Sequence, residues 1–455
     1  MTSTTTMDRG GGWLSRERIV AGPGFNRWLV PPAALCVHLC IGQVYAFSVF
    51  NEPMTRLIGG AESAPGDWSI PAVGWIFSIS IVFLGLAAAF GGTWVERVGP
   101  RKTMATAAAL FGGGFVVASV GILWHQLWLV YLGYGVLGGC GLGLGYISPV
   151  KTLMTWFPDR PGMATGMAIM GFGGGAFIAS PLSVFLMAQV GVAGAFLALG
   201  IIYFAYMMVG ATIVRVPDEG WKPEGYEPPR TSSRMMTTAH VHVDEAMKTR
   251  QFWLLWGVLC LNVTAGIGVL GQASLMIQEM FPGAITAAAA AGFVGLLSLF
   301  NMLGRFFWAS TSDYIGRKTT YMIFFALGIV LYAAVPWTGN VGSVFLFVVF
   351  YAVILSMYGG GFATIPAYLR DVFGTKYVGA IHGRLLTAWS VAGVLGPVLV
   401  NYIREFQINS GVAPADAYTV TMYIMAGLLA VGFVLNFLMG PVDEKHHLPA
   451  DAKTA

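Results

Sequence analysis

Arg305 stands inside an apolar run, LLSLFNMLGRFFWASTSDYIGRK (296–318), with Asn301 four residues before it. On an α-helix that spacing puts the guanidinium and the amide on one face. A helix rises ~1.5 Å per residue, so Arg305 lies about 12 Å along the axis from Asp313, where charges resume. The hydrocarbon half-thickness of a bilayer is ~15 Å, which places the arginine near mid-membrane. A guanidinium there costs at least ~2.5–3.5 kcal/mol unless it faces a partner or a wet cavity. Its planar fork can engage both oxygens of a carboxylate, and it stays charged at any physiological pH. An arginine snorkelling to the interface is the plainer alternative, but Arg317 and Lys318 already occupy that interface. The chemistry expected of the pair is reversible anion binding.

The elements that would position such a pair are membrane helices. The chain has 455 residues, 56% hydrophobic and 10% charged, with mean hydropathy +0.70. Soluble domains carry about 25% charge, so this composition belongs in lipid. Apolar runs of about 20 residues recur twelve times, six on each side of a polar, Pro-rich segment. The expected fold class is an all-α membrane protein of twelve transmembrane helices arranged as two six-helix pseudo-repeats. The expected divisions are an N-terminal tail (1–25), a first bundle (26–214), a linker (215–250), a second bundle (251–441) and a tail (442–455). All but three of the 25 Lys and Arg residues fall on one side of that topology, the exceptions being Arg56, Arg305 and Arg404. The positive-inside rule therefore puts both termini and the linker in the cytoplasm, in a plasma (inner) membrane. The first 25 residues lack an apolar core and read as a retained tail.

Other classes find little support. The net charge of +4 is scattered over loops, so no nucleic-acid partner is expected. The four cysteines lie in apolar runs without metal-ligand spacing, and GLGLGY sits inside a span without a phosphate-binding lysine. No metal or cofactor is expected. No nucleophile–base arrangement suggests an intramembrane enzyme. The linker and tail offer no output domain for a membrane sensor of the same fold, which stays as an alternative. The partners expected are a small organic anion and the lipid bilayer, with a monomeric transport unit.

The halves repeat. GTWVERVGPRK (Gly92–Lys102) follows helix 2 and ASTSDYIGRK (Ala309–Lys318) follows helix 8. Glu96 and Asp313, Gly99 and Gly316, and Pro149 and Pro366 share one sequence separation. Duplication of six helices with the same orientation gives a parallel repeat about an axis along the membrane normal. Ala309 replaces Gly92 in the second copy and Pro100 is inserted in the first, differences expected to matter little. The twelve spans and this acidic-x-x-Gly-basic turn resemble the major facilitator superfamily over residues 25–440. Three further stretches, YAFSVFNEPM (Tyr45–Met54), WFPDRPGMATG (Trp156–Gly166) and FNMLGRFFW with SDYIGRK, resemble its oxalate/formate antiporter family, related to the monocarboxylate transporters.

That resemblance implies that Arg305 contacts a substrate carboxylate beside Asn301. It implies an aromatic cage at Tyr45, Tyr146, Phe172, Tyr358 and Phe362, each of which could equally be ordinary helix packing. Where the family's oxalate carriers have a lysine in helix 11, this chain has Trp389. One fixed cation would leave a dianion poorly compensated, so a monocarboxylate, carried by anion exchange, is favoured over oxalate. His38 and His382 could carry a proton, making a proton-coupled symporter the alternative, or could be packing histidines. No Asp or Glu falls mid-membrane, since Glu279 ends helix 7. Glu96, Arg97, Arg101, Asp313 and Arg317 are expected to latch the cytoplasmic ends in one state of the cycle. Lys151, Lys376 and Arg384 are read as interface residues.

Overall fold

Inside a bilayer no water satisfies the backbone, so each spanning segment must close its own hydrogen bonds, and a helix does so. The computed structural model describes residues 12–448 apart from 16, 61, 219, 227–236 and 238. The outermost parts of both expected tails and the middle of the linker lie outside the described residues.

Twelve membrane-length helical segments occur among the described residues. The first six are α1 (Arg27–Phe50), α2 (Ile70–Val98), α3 (Pro100–Leu123), α4 (Leu127–Trp156), α5 (161–190) and α6 (192–213). The α5–α6 helix is continuous in hydrogen bonding but bends at Gly191, whose φ of 71° breaks the helical path. The second six are α7 (Arg250–Leu270, continued by Ala273–Met280), α8 (Ala287–Ile315) and α9 (Arg317–Asn340), then α10 (Val344–Phe373), α11 (Val378–Asn409, interrupted at Leu386) and α12 (Thr419–Phe437).

Local signals repeat with the halves. Ser69 caps α2 and Thr286 caps α8, each accepting from the backbone N–H three residues on. Gly99 (φ 79°) and Gly316 (φ 86°) make the reversals from α2 to α3 and from α8 to α9. Residues with a Cβ rarely adopt such angles, which is why the repeated turn carries glycine. Packing repeats as well: α2 lies on α4 as α8 lies on α10, and α3 lies on α6 as α9 lies on α12. The halves meet mainly where α5 packs on α8 and α2 packs on α11.

The helices overrun their apolar stretches. Glu96 and Asp313, read from sequence as loop residues, lie in the last turns of α2 and α8. Hydropathy marks the edge of the hydrocarbon, whereas a helix continues until a residue such as Gly99 or Gly316 ends it. Beyond the spans, Ala239, His240 and Val241 lie against the end of α10, where the Val241 N–H donates to the Phe373 carbonyl, and Val241 pairs antiparallel with His447.

Candidate functional site

Arg305 is fully buried in the middle of α8. Its Nε donates to Asn301 Oδ1 at 3.0 Å, one helical turn away. That bond fixes the guanidinium, and Nη1 and Nη2 meet no acceptor at full hydrogen-bond geometry, with the Tyr45 and Tyr146 hydroxyls standing beside them. Its flat face lies 5.2 Å from the Phe362 ring centroid and 5.5 Å from that of Phe172. Cation–π attraction steadies the charge without using its donors. The approach of α5 requires glycine, because a Cβ on Gly173 would stand 2.8 Å from Arg305 Nε. A buried donor without an acceptor costs about 1–3 kcal/mol, and a charged one more. The site therefore carries a strong demand for an anion.

The structure brings the aromatic residues together around this group. Tyr45 of α1 packs edge-on to Phe172 at 5.1 Å, and its hydroxyl meets that of Tyr358 of α10 at 2.9 Å, joining the two halves. Tyr146 of α4 packs on Phe172 at 5.6 Å, and Tyr358 on Phe362 at 5.3 Å. Trp389 of α11 sits among them, 4.4 Å from Phe362, 5.3 Å from Phe172, 5.4 Å from Tyr146 and 6.4 Å from Tyr45. The hydroxyls of Tyr45 and Tyr146 lie close enough to the guanidinium to feel its charge. Neither Tyr146 Oη nor Trp389 Nε1 has a partner. The cage thus offers several unengaged donors beside one fixed positive charge, with apolar ring faces between them.

The histidines border this cage. His38 stacks on Tyr146 at 5.4 Å and its Nε2 lies 3.1 Å from the Tyr146 carbonyl oxygen. His382 packs against the Tyr146 ring at 5.8 Å, with Nε2 unpartnered. Glu279 is engaged at the far end, with Arg404 and with Tyr418, whose hydroxyl donates to it at 2.5 Å. A surface cavity of about 470 Å³ beside Pro53, Arg56 and Val192 lies off the ends of α1 and α5, away from Arg305.

At the basic end the five expected latch residues take different roles. Asp313 accepts from the backbone N–H groups of Gly162 and Met163, each at 2.9 Å, so one half caps the start of α5 in the other. Arg317 pairs with Asp313 at 2.5 Å and with Asp371 at 3.3 Å. Glu96 pairs with Lys151 at 3.0 Å and lies against Gly379 at the start of α11. Arg101 does not join it: its three nitrogens donate to the carbonyls of Ala211, Thr212 and Trp13 within its own half. The inserted Pro100 takes the first position of α3 and carries the arginine one residue further round. Arg97 is exposed.

Sequence reasoning missed the partners of these acids. Lys151 and Asp371 carried no motif of their own. The WFPDRPGMATG stretch did carry a signal, used only as a family mark, and it supplies most of the crossing. Its Pro158 carbonyl accepts from Arg370 at 3.1 Å, and Thr165 Oγ1 donates to the Ala363 carbonyl at 2.6 Å. Asp159 pairs with Arg27 at 2.7 Å. Partial burial of Asp159 opposes its ionisation, but Arg27 outweighs that and holds the carboxyl below its ordinary range.

Known proteins match this architecture. The chain is 28% identical over 440 residues to the oxalate:formate antiporter of Oxalobacter formigenes, covering 94% of this chain and 96% of that one. It is 25% identical to the apicoplast pyruvate carrier 1 of Toxoplasma gondii, covering 90% and 88%. A solved structure of the proton:xylose symporter XylE superposes with a TM-score of 0.65 at 16% identity, covering 91% and 96%, which speaks for the fold alone. The family model of the Major Facilitator Superfamily matches residues 33–397, with a second match over 284–455. The chain is a multi-pass membrane protein and belongs to the Major Facilitator Superfamily.

Proposed function

We propose that this protein carries small organic monocarboxylate anions across the plasma membrane by alternating access, exchanging one anion for another. Both termini face the cytoplasm on this reading, and a single chain is the transport unit. The observation that carries it is Arg305: a fully buried guanidinium with two unengaged nitrogens, inside rings drawn from both halves. Asn301 orients the fork, the carboxylate binds its free edge, and the rings close over a short tail. The similarity to an oxalate:formate antiporter and a pyruvate carrier supports the substrate class.

Charge balance favours one negative group. Lys151 and Arg384, the basic residues nearest in sequence to Tyr146 and Trp389, are paired with Glu96 and Asp244 at the basic end. Charge balance also favours exchange, since an empty carrier must cross with an unpaired cation in its core. Among the described residues, the hydrogen bonds between the halves lie at mid-depth or toward the basic end, as expected of a state closed to the cytoplasm. Binding of an anion at Arg305 would then trade this seal for one at the opposite end.

Replacing Arg305 by Gln should weaken acid binding by about 100-fold or more, since each hydrogen bond to a charged group contributes ~1.5–3 kcal/mol. Uptake into proteoliposomes at the wild-type rate would reject the assignment. The free Nε2 of His382 beside Tyr146 keeps a second reading, proton symport, in view. Uptake driven by a pH gradient with no anion inside would select it over exchange.

A further inference from the structure

We infer that Trp389 reads the substituent on carbon 2 of the bound acid, its indole N–H donating to a 2-oxo or 2-hydroxy oxygen while Arg305 holds the carboxylate. The inference rests on the reading of Arg305 given above and adds to it the means of choosing among acids of equal size.

Trp389 is fully buried three residues beyond the interruption of α11, among rings of both halves. An indole nitrogen only donates, and buried tryptophans ordinarily find it an acceptor. This one has none. Its position relates it to the cation through two shared rings. Phe172 and Phe362 each touch both the Arg305 guanidinium and the Trp389 ring. Two unengaged donor groups therefore flank one pair of phenyl rings, the arrangement needed to hold a short ligand by oxygens at neighbouring carbons.

The other donors of the cage are accounted for differently. In the Tyr45–Tyr358 pair one hydroxyl donates to the other, and both lie within reach of the Arg305 charge, so the hydrogen left over also serves the carboxylate. Tyr146 Oη lies near the guanidinium and so serves the carboxylate. An acid without an oxygen at carbon 2 leaves the indole N–H buried and unpaired, and a site built around a hydrogen bond discriminates against a ligand that cannot make it. Around Trp389 the neighbouring groups are the ring faces of Phe172, Phe362 and Tyr146, which suit a methyl group and carry no second cation for another carboxylate.

Titration calorimetry of the purified full-length protein with propionate, pyruvate and lactate tests this at constant carbon number. Wild-type protein should prefer pyruvate and lactate over propionate by at least about fivefold, the worth of one net hydrogen bond. Trp389→Phe keeps a ring and removes the donor, and should bring the three acids within about twofold by weakening pyruvate and lactate while propionate is unchanged. A preference that survives in Trp389→Phe, or none in wild-type protein, overturns the inference. If Trp389→Phe does not fold, a wild-type preference that persists in Tyr146→Phe supports it, and one lost there overturns it. Arg305→Gln should lose all three acids; equal binding by that variant and wild type would instead sink the functional reading beneath.

Discussion

The two halves close the basic end with the same sequence turn in different ways. Asp313 places both carboxylate oxygens on backbone N–H groups at the start of α5, where the helix dipole also favours a negative charge. Arg317 holds that carboxylate and is itself held by Asp371, and all three side chains are nearly buried. Glu96, its repeat partner, reaches the start of α11 but pairs with Lys151, whose side chain is 29% exposed. The arginine that would brace it is displaced by Pro100 and serves the α6 end instead. One inserted residue thus leaves Glu96 paired with a lysine instead of braced by the arginine of its own motif. A duplicated motif does not imply duplicated strength.

That contrast can be broken by substitution, with effects of decreasing size. Asp313→Ala should cost the closed basic end about 3 kcal/mol, because it strips two charge-assisted hydrogen bonds from α5 and leaves Arg317 with Asp371 as its one carboxylate partner beside Ser312. Amide exchange at Gly162 and Met163 should accelerate by roughly a hundredfold; exchange at the wild-type rate would show that Asp313 does not hold α5. Glu96→Gln should cost only about 0.5–1 kcal/mol, the range of a partly exposed ion pair, read as a few-fold faster exchange at Gly379. An effect equal to that of Asp313→Ala would erase the asymmetry. Arg97→Ala should shift the unfolding free energy by no more than about 0.5 kcal/mol, since the side chain is exposed. A larger loss in thermal melts would mean that it engages in a state other than this one.

Much of the fold was legible because lipid imposes a simple code: twelve apolar runs, a basic side and repeated glycine turns follow from hydropathy and backbone sterics alone. The depth of Arg305 and its neighbour Asn301 were legible for the same reason, being local to one helix. The cage residues were reached by resemblance rather than by physics, since a lone Tyr146 or Phe172 in an apolar run looks like packing. The latch was read least well. Arg101 and Arg317 look alike in their motifs, and only their surroundings distinguish an arginine bound to carbonyls from one bound to carboxylates.

The sequence by itself determined where polar groups are stranded in oil, because that depends on residues within one helical segment. Tertiary structure alone decided what meets them: Asp313 finds Gly162 across 151 residues of chain, and Tyr45 finds Tyr358 across 313. Such partners are chosen by the packing of α5 on α8 and of α2 on α11, and no local propensity encodes them. The unpaired nitrogens of Arg305 and Trp389 became visible only once every neighbour that might have satisfied them had been placed.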